Sequence, residues 1–168
     1  MAIRPFLPWP DRRLGTPAAP VGEITDEIRA IWDDMVETMD AMPGLGLAAP
    51  QIGILLRLAV VDCSVERGRA IRLADPEITG VSRTLRAHDE ASPNLPGVHA
   101  HLERPDRVTV AYTDVDGRRV SRAFEAVWAT SVQHQIDHLN GRMYFDNLSR
   151  TRRAMLLKKA EKAREASR

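Results

Sequence analysis

His134 and His138 stand four residues apart in a segment whose apolar positions, Ala126, Ala129, Val132, Ile136 and Leu139, repeat at helical spacing. With 3.6 residues per turn, positions i and i+4 share a face, so both imidazoles project the same way. The apolar neighbours make this a core helix, and a buried imidazole needs a partner because an unpaired polar group in the interior is costly. Two histidines at this spacing can bite one metal ion, as in the H-E-x-x-H helices of zinc hydrolases. In Gln133-His134-Gln135-Ile136-Asp137-His138, however, the residue after the first histidine is Gln135. An amide matches a carboxylate in size but cannot take up a proton at neutral pH. Spacing alone leaves two readings open: a metal helix without its base, or a helix whose histidines share a face for packing.

The rest of the chain narrows the choice. At 168 residues, 43% hydrophobic and 28% charged, it has the length and composition of one globular domain spanning residues 1–168. No apolar run approaches the ~20 residues that span a bilayer. Met1–Pro10 lacks the apolar stretch of a secretory signal, and a single cysteine, Cys63, excludes an internal disulfide. These features predict a cytoplasmic protein without a membrane segment. Charge is uneven. Residues 148–168 hold eight Lys/Arg and two Glu, net +6, which against a whole-chain +1 leaves −5 on the preceding 147. A basic tail on an acidic body suits a polyanionic partner, and equally a solvated helix face.

Read in order, residues 1–23 are an arm expected to lie extended on the surface. Thr25 caps a helix carrying Ile28, Ile31, Trp32, Met35, Val36 and Met39, which Pro43-Gly44 ends. Small residues in Gly44–Gln51 suit a backbone that something approaches closely, and equally tight packing in the core. Leu55–Asp62 reads as a buried strand, with weaker strands at Ile71–Leu73 and Ser82–Ala87 on either side of Asp75-Pro76-Glu77. Prolines and a glycine mark His88–Gly97 as a loop. Val98–Glu103 is extended, Arg107–Thr113 alternates, and Asp116-Gly117 turns the chain into Arg118–Phe124. After the histidine helix, Ser149 caps a basic C-terminal helix over 149–166, anchored by Met155, Leu156 and Leu157.

Several segments together match one family. Glu37-Thr38-Met39, Gly44–Gln51 (G-x-G-L-A-A-P-Q), Pro76-Glu77-Ile78, Arg104-Pro105 and His134–Gly141 (H-E-x-D-H-L-x-G in the family) occur in this order from about Ile3 to Lys159. The chain resembles peptide deformylase, which removes the formyl group from N-terminal formyl-methionine of nascent polypeptides. The resemblance implies an α+β fold: a central helix bearing His134 and His138, surrounded by antiparallel β-sheets, plus a C-terminal helix. It also implies Fe(II), Zn(II) or Ni(II) as cofactor and a formylated nascent peptide as substrate. A monomer is expected, docked on the ribosome through the basic C-terminal helix.

The same resemblance assigns roles. His134 and His138 take two metal-ligand positions. The motif E-G-C-L-S-x-P-G aligns with Glu90–Gly97, which puts Ser92 at the third ligand, a cysteine in the family. A serine hydroxyl stays protonated at neutral pH and is a poor ligand where a thiolate is a strong one. Pro93 stands where the family offers a backbone N–H to the oxyanion, and proline has none. Gln51 keeps the other oxyanion donor, while Gln135 replaces the glutamate base. Gly44, Gly46, Glu90 and Ala91 are the expected substrate contacts. Three altered chemical positions in a retained frame predict an impaired or inactive deformylase that holds metal weakly or not at all. The competing expectations are a rebuilt site in which His88, Asp89, Glu90, His99 or His101 serves as substitute ligand or base, and a non-catalytic module that binds the ribosome or peptides. Arg104 and Asp137 are expected to form an ion pair holding the histidine helix.

Overall fold

The computed structural model describes residues 2–168. Three α-helices and seven strands make up the fold. Helix α1, Asp26–Ala41, begins where Thr25 Oγ1 accepts from the Ile28 N–H at 3.3 Å, with Asp26 and Glu27 in its first turn. Strand β1 is Gly46–Ala48, β2 Leu58–Val61 and β3 Ile71–Val81. Then come β4, Leu85–Ser92, and β5, Leu95–Pro105, followed by β6, Arg107–Thr113, and β7, Arg119–Glu125. Helix α2, Ala126–Leu139, carries the two histidines, and α3, Arg150–Ala166, ends the fold. Among the described residues no helix is long and apolar enough to cross a membrane.

Strands β1, β2, β3, β6 and β7 form one antiparallel sheet in the order β1-β2-β3-β6-β7. Strands β4 and β5 pair separately as a two-stranded antiparallel sheet. One core cluster sets Trp32, Met35 and Met39 of α1 against Leu47, Leu58 and Val60. A second sets Ala129, Val132 and Ile136 of α2 against Val61, Leu73, Val108, Val110 and Phe124. The helical period of α2 therefore meets the two-residue period of the strands across a shared apolar layer. A third cluster packs Leu156 and Ala160 of α3 on Val98, Ala100 and Leu102, the inward positions of β5. This is the α+β arrangement expected, with antiparallel sheets around the histidine helix.

Three local expectations are corrected. His88–Gly97 is no loop: β4 runs through Ser92 and β5 starts at Leu95, turning on Pro93-Asn94. Pro93 sits in the turn and Pro96 on a two-stranded sheet with open edges, so neither removes a needed ladder bond. Nor does the strand begun at Ile71 stop at Leu73. Strand β3 is continuous to Val81, with a register shift between Ala74 and Glu77 and Asp75 at φ +47°. A bulge interrupts the ladder, and that is where a strand tolerates proline. Met155 does not anchor α3; it is 66% exposed, while Leu156 and Ala160 are buried.

The arm is also more than a surface strap. Leu14 is 1% exposed inside the third cluster. The Leu7 N–H donates to Gln51 O at 2.9 Å, Trp9 N–H to Asn94 O at 2.8 Å and Ala18 N–H to Leu139 O at 2.9 Å. The arm thus reaches the segments that build the pocket described next.

Candidate active site

Successive turns of α2 present Val127, Thr130, Ser131, His134 and Gln135 to a cavity of about 410 Å³. Met42 and Gly44–Gly46 form its rim, and Gln51 with His88–Pro93 of the β4–β5 hairpin lines the remaining side. The cavity joins most of the residues singled out from the sequence: Gly44, Gly46, Gln51, Glu90, Ala91, Ser92, Pro93, His134 and Gln135. The close approach implied by Gly46 comes from α2 itself. A Cβ there would lie 2.5 Å from Gln135 Nε2 and 2.6 Å from Ser131 Oγ, distances no side chain accepts.

Strand parity decides which hairpin residues face inward. Along β4, Glu90 and Ser92 are buried and His88 half-buried, while Asp89 and Ala91 are exposed at the cavity's solvent side. Along β5, His99 and His101 alternate outward, between the buried Val98, Ala100 and Leu102. His101 Nδ1 pairs with Asp89 Oδ1 at 2.9 Å on the exposed surface. His99 and His101 are thereby excluded as replacement ligands, and the Asp89 carboxylate is directed to His101. Of these candidates, His88 and Glu90 lie on the inward face, and Glu90 is already bonded to Arg104 and His134.

Behind the pocket lies a charged net. Glu90 is 4% exposed and receives Arg104 Nε at 2.7 Å and Arg104 Nη2 at 2.9 Å, a bidentate pair. Its Oε1 also meets His134 Nδ1 at 2.8 Å. Arg104 Nη2 reaches Asp137 Oδ2 at 2.9 Å, so the expected pair is present and extends into a four-residue net. The Glu90 hydrogen bond fixes the His134 ring and leaves its Nε2 as the nitrogen available to the cavity. Tyr144 stacks on that ring with centroids 5.9 Å apart.

His138 is enclosed, at 1% exposure, with its ring centroid 5.0 Å from that of His134. Burial, reinforced by His134 and Arg104, pushes it well below the usual histidine range, so it is a neutral imidazole. Neither of its ring nitrogens has a hydrogen-bond partner, and Gln135 Oε1 is likewise buried and unpaired. Among the described residues no group of three His, Cys, Asp or Glu side chains is arranged to hold an ion. The hydroxyl of Ser92 donates to Asn94 Oδ1 at 3.0 Å. Gln51 Nε2 donates to the same oxygen at 2.8 Å, and Gln51 Oε1 accepts from Ala48 N–H at 2.9 Å.

Comparison with known proteins fits this geometry. A family model described as polypeptide deformylase matches residues 3–154. The chain belongs to the polypeptide deformylase family. It is 42% identical to a peptide deformylase of Methylocella silvestris, over 97% of this chain and 86% of that one. It is also 42% identical to a peptide deformylase-like protein of Bradyrhizobium diazoefficiens, over 96% and 95%. The crystal structure of a peptide deformylase from Legionella pneumophila superimposes with a TM-score of 0.90 at 35% identity, covering 99% and 98% of the two chains.

Sequence reasoning missed Asn94, Ser131 and Tyr144. Asn94 gives no signal because a segment read as a loop has no inward face to assign. Ser131, whose Oγ donates to Leu45 O at 3.0 Å, could have been found from its place one helical turn before Gln135. Tyr144 follows the helix in a short 3-10 turn and carries no motif.

The deformylase frame makes an acid-stability prediction. Burial alone would raise the Glu90 carboxyl, but the hydrogen bonds from His134 and Arg104 outweigh it and hold it at about 2 instead of 4.5. With the folded value the lower, this stabilisation is complete above about pH 4.5 and is lost as pH falls towards 2. Denaturant midpoints of the wild type and Glu90→Gln should therefore converge across that window. A gap that stays constant from about pH 6 to about pH 2.5 would remove Glu90 as the source.

Proposed function

We propose that this chain keeps the peptide-binding frame of a deformylase and has lost most or all of its hydrolytic capacity. The observation carrying this reading is the state of Ser92, the family's third metal-ligand position. It offers a neutral hydroxyl whose proton is engaged by Asn94 at 3.0 Å. His134 Nε2 and the neutral His138 suit a metal as nitrogen donors, but two imidazoles and a protonated hydroxyl do not fit a catalytic site of three protein ligands plus water. Pro93 supplies no N–H to an oxyanion, and the amide of Gln135 cannot relay a proton. The frame around these positions is intact: Glu90 and Arg104 hold His134, and Gly44–Gly46 keep the cavity open beside Gln135.

The test is purification in the presence of Fe(II), Ni(II), Co(II) or Zn(II), followed by assay of formyl-Met-Ala-Ser. Turnover should fall at least ~10³-fold below an active relative, since loss of an oxyanion donor costs ~10²–10³ and loss of a base ~10²–10⁴. Turnover within tenfold of the relative would defeat the reading. Metal bound stoichiometrically, retained in Ser92→Ala and lost in His88→Ala, would instead favour a rebuilt site using the inward-facing histidine. For the partner, exposed Arg150, Arg152, Lys158, Lys159 and Lys162 on α3 support docking on ribosomal RNA, read out as salt-sensitive co-sedimentation with ribosomes.

A further inference from the structure

Asn94 is 2% exposed and uses every polar atom of its carboxamide. Oδ1 accepts from Gln51 Nε2 at 2.8 Å and from Ser92 Oγ at 3.0 Å. Nδ2 donates to Leu7 O at 2.8 Å and to Gln51 O at 3.0 Å. Its backbone joins in as well: Asn94 N–H donates to Ser92 Oγ at 3.3 Å, and Asn94 O accepts from Trp9 N–H at 2.8 Å. One side chain therefore ties together three segments far apart in sequence: the arm, the Gln51 turn and the β4–β5 hairpin.

We infer that Asn94 is a positioning residue that locks Ser92 and Gln51 in one wall of the cavity and latches the N-terminal arm to the back of that wall. Geometry supports the lock. A carboxamide has two acceptor lone pairs and two N–H donors, and all four are matched here, with no group left over for a ligand. A buried polar network satisfied at every member is rigid. The latch follows from the same atoms. Leu7 N–H donates to Gln51 O at 2.9 Å while Leu7 O accepts from Asn94, so Leu7–Trp9 lies bonded between the two sides of the net. This assignment concerns the wall alone and does not depend on whether turnover survives.

A thiol reporter tests it in the full-length chain. Ser92→Cys places a second thiol in the wall, while native Cys63, half-buried with hydrogen-bond contacts to Leu45 O and Val127 O, serves as an internal control. Alkylation of each cysteine is followed by mass spectrometry with a chelator present. Adding Asn94→Ala should raise the rate at the introduced thiol at least tenfold and leave Cys63 within twofold, with cooperative unfolding retained. Equal acceleration at both cysteines, or a change under twofold at the introduced one, would overturn the assignment.

If Asn94→Ala does not fold, Asn94→Asp provides the second test. It keeps the acceptor for Ser92 and Gln51 but faces Leu7 O and Gln51 O with an oxygen in place of the N–H donors. Hydrogen exchange at the Leu7 and Trp9 amides should then rise at least tenfold, while the thiol introduced by Ser92→Cys still reacts slowly. Unchanged exchange at both amides would defeat the latch.

Discussion

Ser92→Cys, Pro93→Leu and Gln135→Glu made together should raise kcat/KM for formyl-Met-Ala-Ser at least ~10³-fold over the parent when the protein is loaded with Fe(II) or Ni(II). The magnitude combines an oxyanion donor worth ~10²–10³ with a base worth ~10²–10⁴. It is kept well below their product because groups acting as a unit do not contribute additively. The cysteine supplies the anionic third donor that a hydroxyl cannot. Pro93→Leu restores a backbone N–H at the hairpin turn, and Gln135→Glu puts a proton acceptor at a buried position whose amide oxygen is now unpaired. The surroundings need no rebuilding, because His134 is already held by Glu90 at 2.8 Å. Each single change should recover little. A folded triple variant with stoichiometric metal and less than a tenfold gain would show that the frame itself has changed.

Arg104→Ala should cost about 3–5 kcal/mol of stability, the usual loss when one partner of a buried ion pair is removed. Arg104 is 8% exposed and bonds Glu90 through two nitrogens and Asp137 through one. Without it, a carboxylate at 4% exposure keeps only the His134 contact. Arg104→Lys should recover little of the loss, since an ammonium cannot form the planar two-point contact. Guanidinium unfolding at pH 7 gives the measurement. A loss below about 1 kcal/mol for Arg104→Ala, no more than an exposed pair contributes, would mean that the net does not hold α2 in place.

The two results bear on different parts of the site. Restoration asks whether, on the function proposed above, the residues at positions 92, 93 and 135 are all that separates this chain from an active relative. The Arg104 variant asks which protein contacts keep the histidine helix in position. Buried Glu90 and Arg104 tie the partly buried His134 and Asp137 of α2 to the β4–β5 hairpin, so the net orders α2 through protein atoms alone.

The sequence on its own determined the helices and the family. Apolar spacing marks α1 and α2 because a helix repeats its buried face every 3.6 residues. Thr25 and Ser149 mark helix starts because their side chains accept the first free N–H groups, as both do here. The proton and N–H content of Ser92, Pro93 and Gln135 was legible because it belongs to the residue type, wherever it sits. Only the tertiary structure decided which of the flanking residues face the cavity. Prolines and a glycine hid the end of β4 and the start of β5, and with them the pairing that turns His88 and Glu90 inward. The strand pairing that fixes this parity comes from contacts between residues distant in the chain, such as Glu90 with Ala100, which no local pattern encodes. The same holds for Asn94. Its four side-chain hydrogen bonds reach Leu7, Gln51 and Ser92 at 2.8 to 3.0 Å, and only folding gathers those partners around one carboxamide.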